Sequence, residues 1–148
     1  DEYNSYKNDL SAIQNQVYEV NDLLKQSLNK ISDFKKALSR IKINPGELNS
    51  KIFKLENTLR EINLEINGSD AKKQIGEKRS PTVQNRLSVA QRGLSTTYGP
   101  TILHKKSMEL ALKSVKLIKP KIEKIYNEDI PKIKNALINA GSPYLNIN

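Results

Sequence analysis

Apolar side chains recur at alternating spacings of four and three from Tyr3 to Ile41, through Tyr6, Leu10, Ile13, Val17, Val20, Leu24, Ile31, Phe34 and Leu38. Ser27 is the one polar residue in that series. Neither glycine nor proline interrupts it, so the spacing predicts a single amphipathic helix over 2–41, about 60 Å long at 1.5 Å per residue. A helix with such a seam is unstable alone in water and requires partners.

The rest of the chain predicts three. Asn44-Pro45-Gly46 marks a turn, after which Leu48, Ile52, Leu55, Leu59, Ile62 and Ile66 repeat the same spacing over a second helix at 47–67, closed by Gly68. The period is lost from Ser69 to Arg79, which reads as a mobile surface loop. Ser80 followed by Pro81 predicts the capped start of a third helix over 81–96, with Val83, Leu87, Ala90 and Leu94 inward. A fourth helix over 102–140 carries Met108, Ala111, Val115, Ile118, Ile122 and Ile125 on its seam. Pro120 and Pro131 fall inside it, and the second is the expected break.

This pattern predicts an all-α fold, an elongated antiparallel four-helix bundle with two long and two short helices in up-down-up-down order. The chain is expected to form one domain over 1–148. Two short helices cover only part of two long ones. A two-helix stalk is therefore expected where Tyr3 to Val17 meets Ile122, Ile125, Ile133 and Leu137. Its uncovered apolar surface makes Tyr3, Tyr6, Leu10, Ile122, Ile125 and Tyr144 the candidate docking residues.

Composition fits a bundle filled by Leu, Ile and Val: 36% of residues are hydrophobic and only 5% aromatic. No apolar run is long enough for a membrane span. The absence of cysteine excludes disulfides, thiolate metal sites and cysteine nucleophiles. The start at Asp1, with no methionine or apolar leader, leads to the expectation of a fragment or a processed product.

Charge is uneven. Residues 1–67 hold ten basic and ten acidic side chains, residues 68–148 fifteen and six, so the net +9 belongs to the second half. Lys105, Lys106, Lys113, Lys116, Lys119, Lys121 and Lys124 form the densest run, off the apolar seam of their helix. Lys113, Lys116 and Lys124 define a candidate basic face for nucleic acid or another anionic surface. An ordinary solvated helix face is the simpler reading, since no aromatic residues interleave the run as stacking would require.

From Gly68 onward the order Gly-Ser-Asp, Glu77, Pro81-Thr-Val-Gln-Asn-Arg86-Leu, Gly99-Pro-Thr, Asp129-Ile-Pro131 and Leu137-Ile-Asn-Ala-Gly141-Ser-Pro143-Tyr144 resembles one known arrangement. It is similar to the C-terminal helical domain that follows the β-propeller in bacterial sortilin-like, BNR-repeat proteins labelled glycosyl hydrolases. The resemblance implies a C-terminal fragment of a larger exported protein, secreted, periplasmic or at the cell surface. It implies a noncatalytic docking or assembly module, with the propeller of the parent chain or another protein subunit as partner. The hydrolase label belongs with the propeller, which this chain lacks.

Candidate chemistry is sparse. His104 is the single histidine and is expected to be a surface or capping group, and no His-x-x-x-His or Glu-x-x-His pair exists to build a carboxylate-bundle metal centre. Glu128 and Asp129 read as charge at a helix start, because adjacent helical residues point about 100° apart. Gly93 and Gly99 stand outside any phosphate-binding loop. Asn67-Gly68-Ser69 matches a glycosylation acceptor but reads more simply as a helix stop, and Arg86 is expected in a structural ion pair. Tyr98 and Tyr144 read as plugs at the bundle end, with stacking on a glycan or partner as the functional alternative. No cofactor, metal or catalytic residue is expected.

Overall fold

The computed structural model describes residues 1–41, 46–69 and 80–142. The expected turn at 42–45, the expected loop beyond Ser69, and Tyr144 lie outside them. Every regular element among the described residues is helical: α1 (Glu2–Ser39), α2 (Leu48–Asn67), α3 (Val83–Arg92), α4 (Ile102–Lys124), a π-helical turn (Ile125–Asp129) and α5 (Ile130–Asn139). The all-α bundle expected from the spacing is what forms.

The chain divides into two compact units, Asp1–Asn21 with Ile62–Lys119, and Asp22–Glu61 with Pro120–Asn148. Helix α1 gives its first half to one and its second half to the other. In the first unit, Tyr6, Leu10, Ile13, Val17 and Val20 of α1 are buried with Ile62 and Ile66 of α2, Val83, Leu87 and Ala90 of α3, and Ala111, Val115 and Ile118 of α4. In the second, Leu24, Ile31, Phe34 and Ala37 are buried with Ile52, Leu59, Ile122, Ile125, Ile130, Ile133 and Leu137. Ser27 is fully buried there, its hydroxyl without a hydrogen-bond partner among the described residues.

The expected up-down-up-down order needs correction in the first unit. Glu2 pairs with Lys105, and Glu19 pairs with Lys119 at 3.6 Å, so numbering rises together and α1 and α4 run in the same direction. Helix α3 opposes α4. The Ser107 hydroxyl donates to the Arg86 carbonyl at 2.8 Å, and further along α3 Gly93 faces His104. The stalk expectation fails for a related reason: α3 lies beside the first half of α1 and residues 48–61 of α2 beside the second, so each half has a third helix to cover its seam.

Local chemistry explains the boundaries. Helix α3 starts two residues later than Ser80-Pro81 implied, because Thr82 and Asn85 cap each other. The Asn85 amide N–H donates to Thr82 Oγ1 at 3.0 Å, and the Thr82 N–H donates to Asn85 Oδ1 at 3.0 Å. It stops at Arg92 because Gly93, Leu94 and Ser95 bond back to the third preceding carbonyl, a tighter winding than the α-helix. Pro120 sits inside α4 without ending it. Ahead of Pro131 the helix widens: the Ile130 N–H reaches the Ile125 carbonyl five residues back, which accommodates a ring that would otherwise clash with the preceding turn. Gly141, at φ +94°, closes α5 while Ser142 N–H donates to the Leu137 carbonyl at 3.1 Å, a Schellman cap.

Candidate partner-binding face

The start of α4 is held from two sides. The Thr101 N–H donates to His104 Nδ1 at 3.1 Å and the His104 N–H returns to Thr101 Oγ1 at 3.4 Å, a capping box with an imidazole in the usual Glu or Gln position. His104 is thus the capping group expected of it. A Cβ on Gly93 would lie 3.0 Å from the His104 Cβ, so glycine lets the end of α3 approach the first turn of α4 this closely.

With Ala111, Val115 and Ile118 turned into the core, the outer side of α4 carries Ile102, Leu103 and Leu117, which are 87%, 70% and 62% exposed. Beside them a groove of about 440 Å³ runs between α3 and α4. Val89, Leu103 and Leu110 give it apolar walls, and Arg86 and Lys106 are its cationic members.

The lysines of the run differ in their neighbours. Lys105 holds Glu2, and its hydrogen bond and charge lower the pKa of that carboxyl. Lys106 meets Glu109 at 3.7 Å, Lys119 meets Glu19 at 3.6 Å and Lys124 meets Asp129 at 3.5 Å. Lys113 and Lys116 are exposed and meet no carboxylate among the described residues. Of the candidate basic face, Lys113 and Lys116 therefore present free cations, whereas Lys124 is paired in the other unit.

Four of the six expected docking residues are core residues. Tyr6, Leu10, Ile122 and Ile125 are each at most 5% exposed, the first two in one unit and the last two in the other. The Tyr6 hydroxyl donates to the Ala90 carbonyl at 2.6 Å, and burial pushes its pKa above the ordinary value. Tyr3 stays 43% exposed, and Tyr144 lies outside the described residues. No protein-family model, curated protein or solved structure matches this chain.

Other expectations resolve individually. Arg86 forms no ion pair among the described residues; it lines the groove instead. Tyr98 is fully exposed and plugs nothing. The Asn67 side-chain amide donates to Asn21 Oδ1 at 2.9 Å and Asn63 Oδ1 at 3.0 Å, bonds that a glycan on that nitrogen would disturb. A second groove of about 480 Å³ between α1 and α3 carries the amides of Gln14, Asn21, Gln84 and Gln91 beside apolar Val17 and Leu87, and Gln14 donates to Gln91 across it at 3.0 Å. Among the described residues no cluster of three or more His, Cys, Asp or Glu side chains is able to hold a metal ion, and no helix is long and apolar enough to cross a membrane.

One apolar seam per helix does not account for the outer leucines of α4. The signal was there. Leu103, Leu110 and Leu117 recur every seven residues alongside the core series.

Proposed function

We propose that this chain is a helical docking module that binds an anionic partner through the outward face of α4 in the first unit. The observation that carries the reading is the coincidence of Ile102, Leu103 and Leu117 at 87%, 70% and 62% exposure with Lys113 and Lys116, which meet no carboxylate among the described residues. Apolar side chains exposed singly are ordinary surface, but several on one lysine-bearing helix face form a binding surface with a sign of charge. Attachment to a sortilin-like propeller and an exported setting belong to the same proposal, supported by the ordered motifs between Gly68 and Tyr144.

The test is a binding panel of poly-L-glutamate, phosphatidylserine-containing vesicles and a single-stranded RNA, measured at low and at physiological salt against the wild-type chain and a Lys113→Glu/Lys116→Glu variant. Binding to at least one probe that weakens with salt and is lost in the variant is expected. Binding that survives the charge reversal, or no binding at low salt, overturns the proposal.

A further inference from the structure

Within α4, Leu103, Lys106, Leu110, Lys113 and Leu117 follow one another at spacings of three and four, the same rhythm as the buried series Ala111, Val115 and Ile118. The helix therefore carries two seams. One is buried in the first unit; the other leaves Leu103 and Leu117 mostly exposed and Leu110 half-buried. Seven-residue steps drift by about 20° each, so the three leucines stay within about 40° of one line. They extend over about 21 Å, the length of four turns.

We infer that this second seam, with the groove beside it, is the docking site for an amphipathic helix of acidic character. The inference rests on the proposed binding face and names its partner. Leucines repeating every seven residues fit the side chains of a facing helix, which presents apolar groups at the same repeat. Lys113, which meets no carboxylate among the described residues, and Lys106, whose 3.7 Å contact with Glu109 is solvent-exposed and open to exchange, occupy the intervening positions, so carboxylates on the facing layers of the partner complement them. Arg86, on the opposite wall of the groove and without an ion pair among the described residues, adds a third cation. A second copy of the chain is disfavoured as occupant: with a net charge of +9, the same seam on both partners sets lysine against lysine.

The probe is a synthetic helix of about three heptads with leucine at every first position and glutamate at every fourth, alongside a scrambled peptide of identical composition. Affinity is measured by fluorescence anisotropy for wild type, Leu103→Ser/Leu117→Ser and Lys106→Glu/Lys113→Glu; circular dichroism checks the fold, and the substituted side chains are all exposed. The expected result is binding of the patterned peptide and at least about tenfold weaker binding by each variant and by the scrambled peptide. Equal binding of the scrambled peptide overturns the inference, as does affinity indifferent to the leucines. If the patterned helix fails while poly-L-glutamate or anionic vesicles bind through the lysines, the helix partner is refuted and the broader anionic-binding proposal stands. Failure of every probe removes both.

Discussion

Replacing Ser27 by alanine is expected to stabilise the protein. Its side chain is fully buried in the second unit, on the same face of α1 as Leu24, Ile31 and Phe34, and its hydroxyl meets no donor or acceptor among the described residues. A buried hydroxyl left unpaired costs about 1–3 kcal/mol relative to its hydrated state in the unfolded chain. Alanine also gains up to about 0.5 kcal/mol in helix propensity. Against this, losing one oxygen opens a void of about 15 Å³ at most, worth about 0.4 kcal/mol. The balance favours Ser27→Ala by about 1–3 kcal/mol, a rise in melting temperature of about 2–12 °C for a chain of this size. Urea unfolding followed by circular dichroism measures it directly. A variant less stable than wild type by more than about 0.5 kcal/mol refutes the reasoning, because the hydroxyl must then have a partner whose loss outweighs the gain.

Three further outcomes are expected. Leu59→Ala, at a fully buried position, should cost about 2–5 kcal/mol in urea unfolding, and Leu55→Ala, half-buried on the same helix, clearly less; equal losses would contradict the burial pattern. Tyr6 has a raised folded-state pKa, so its neutral phenol stabilises the fold fully below the unfolded value of about 10, and that stability is lost as pH rises through the folded value. Wild type should therefore lose more stability than Tyr6→Phe between neutral and strongly alkaline pH, and parallel profiles would refute the linkage. Gly141→Ala, which forces a side chain onto φ +94°, should destabilise the end of α5 by about 1 kcal/mol, read by hydrogen exchange at Leu137 to Ala140.

Element positions were largely legible in the sequence. The first helix was expected over 2–41 and runs Glu2–Ser39; the last was expected over 102–140 and its helical segments run from Ile102 to Asn139. Long uninterrupted periods set these limits, and local hydrogen bonding moved only the short α3. The capping pair of Thr82 and Asn85 outcompeted Ser80-Pro81, and the turns after Arg92 tightened. Direction and partner choice were not legible. A seam says which face of a helix is covered and is silent on which stretch of which neighbour covers it. Tyr6 and Leu10 were therefore assigned to an exposed stalk, although α3 and α4 bury them. The same ambiguity hides the outer face of α4: its buried series is read first, and the exposed Leu103 and Leu117 belong to a further apolar series on the same helix.

The shared direction of α1 and α4 constrains how the chain is made. Two neighbouring helices that run the same way cannot be joined by a short loop, so contacts of α1 join residues far apart in sequence: Glu2 to Lys105 of α4 across 103 positions, and Gln26 to Tyr126 of the π-helical turn across 100. During synthesis both halves of the α1 seam emerge long before the residues that finish covering them. Neither unit closes until its part of the last helical stretch has left the ribosome, and until then Leu10, Val20, Ile31 and Phe34 are open to nonnative collapse. Such long-range closure also slows folding relative to bundles whose neighbouring helices are joined by tight turns. Nascent chains stalled before Lys105 should accordingly be held by chaperones, and those carried past Leu137 should be released.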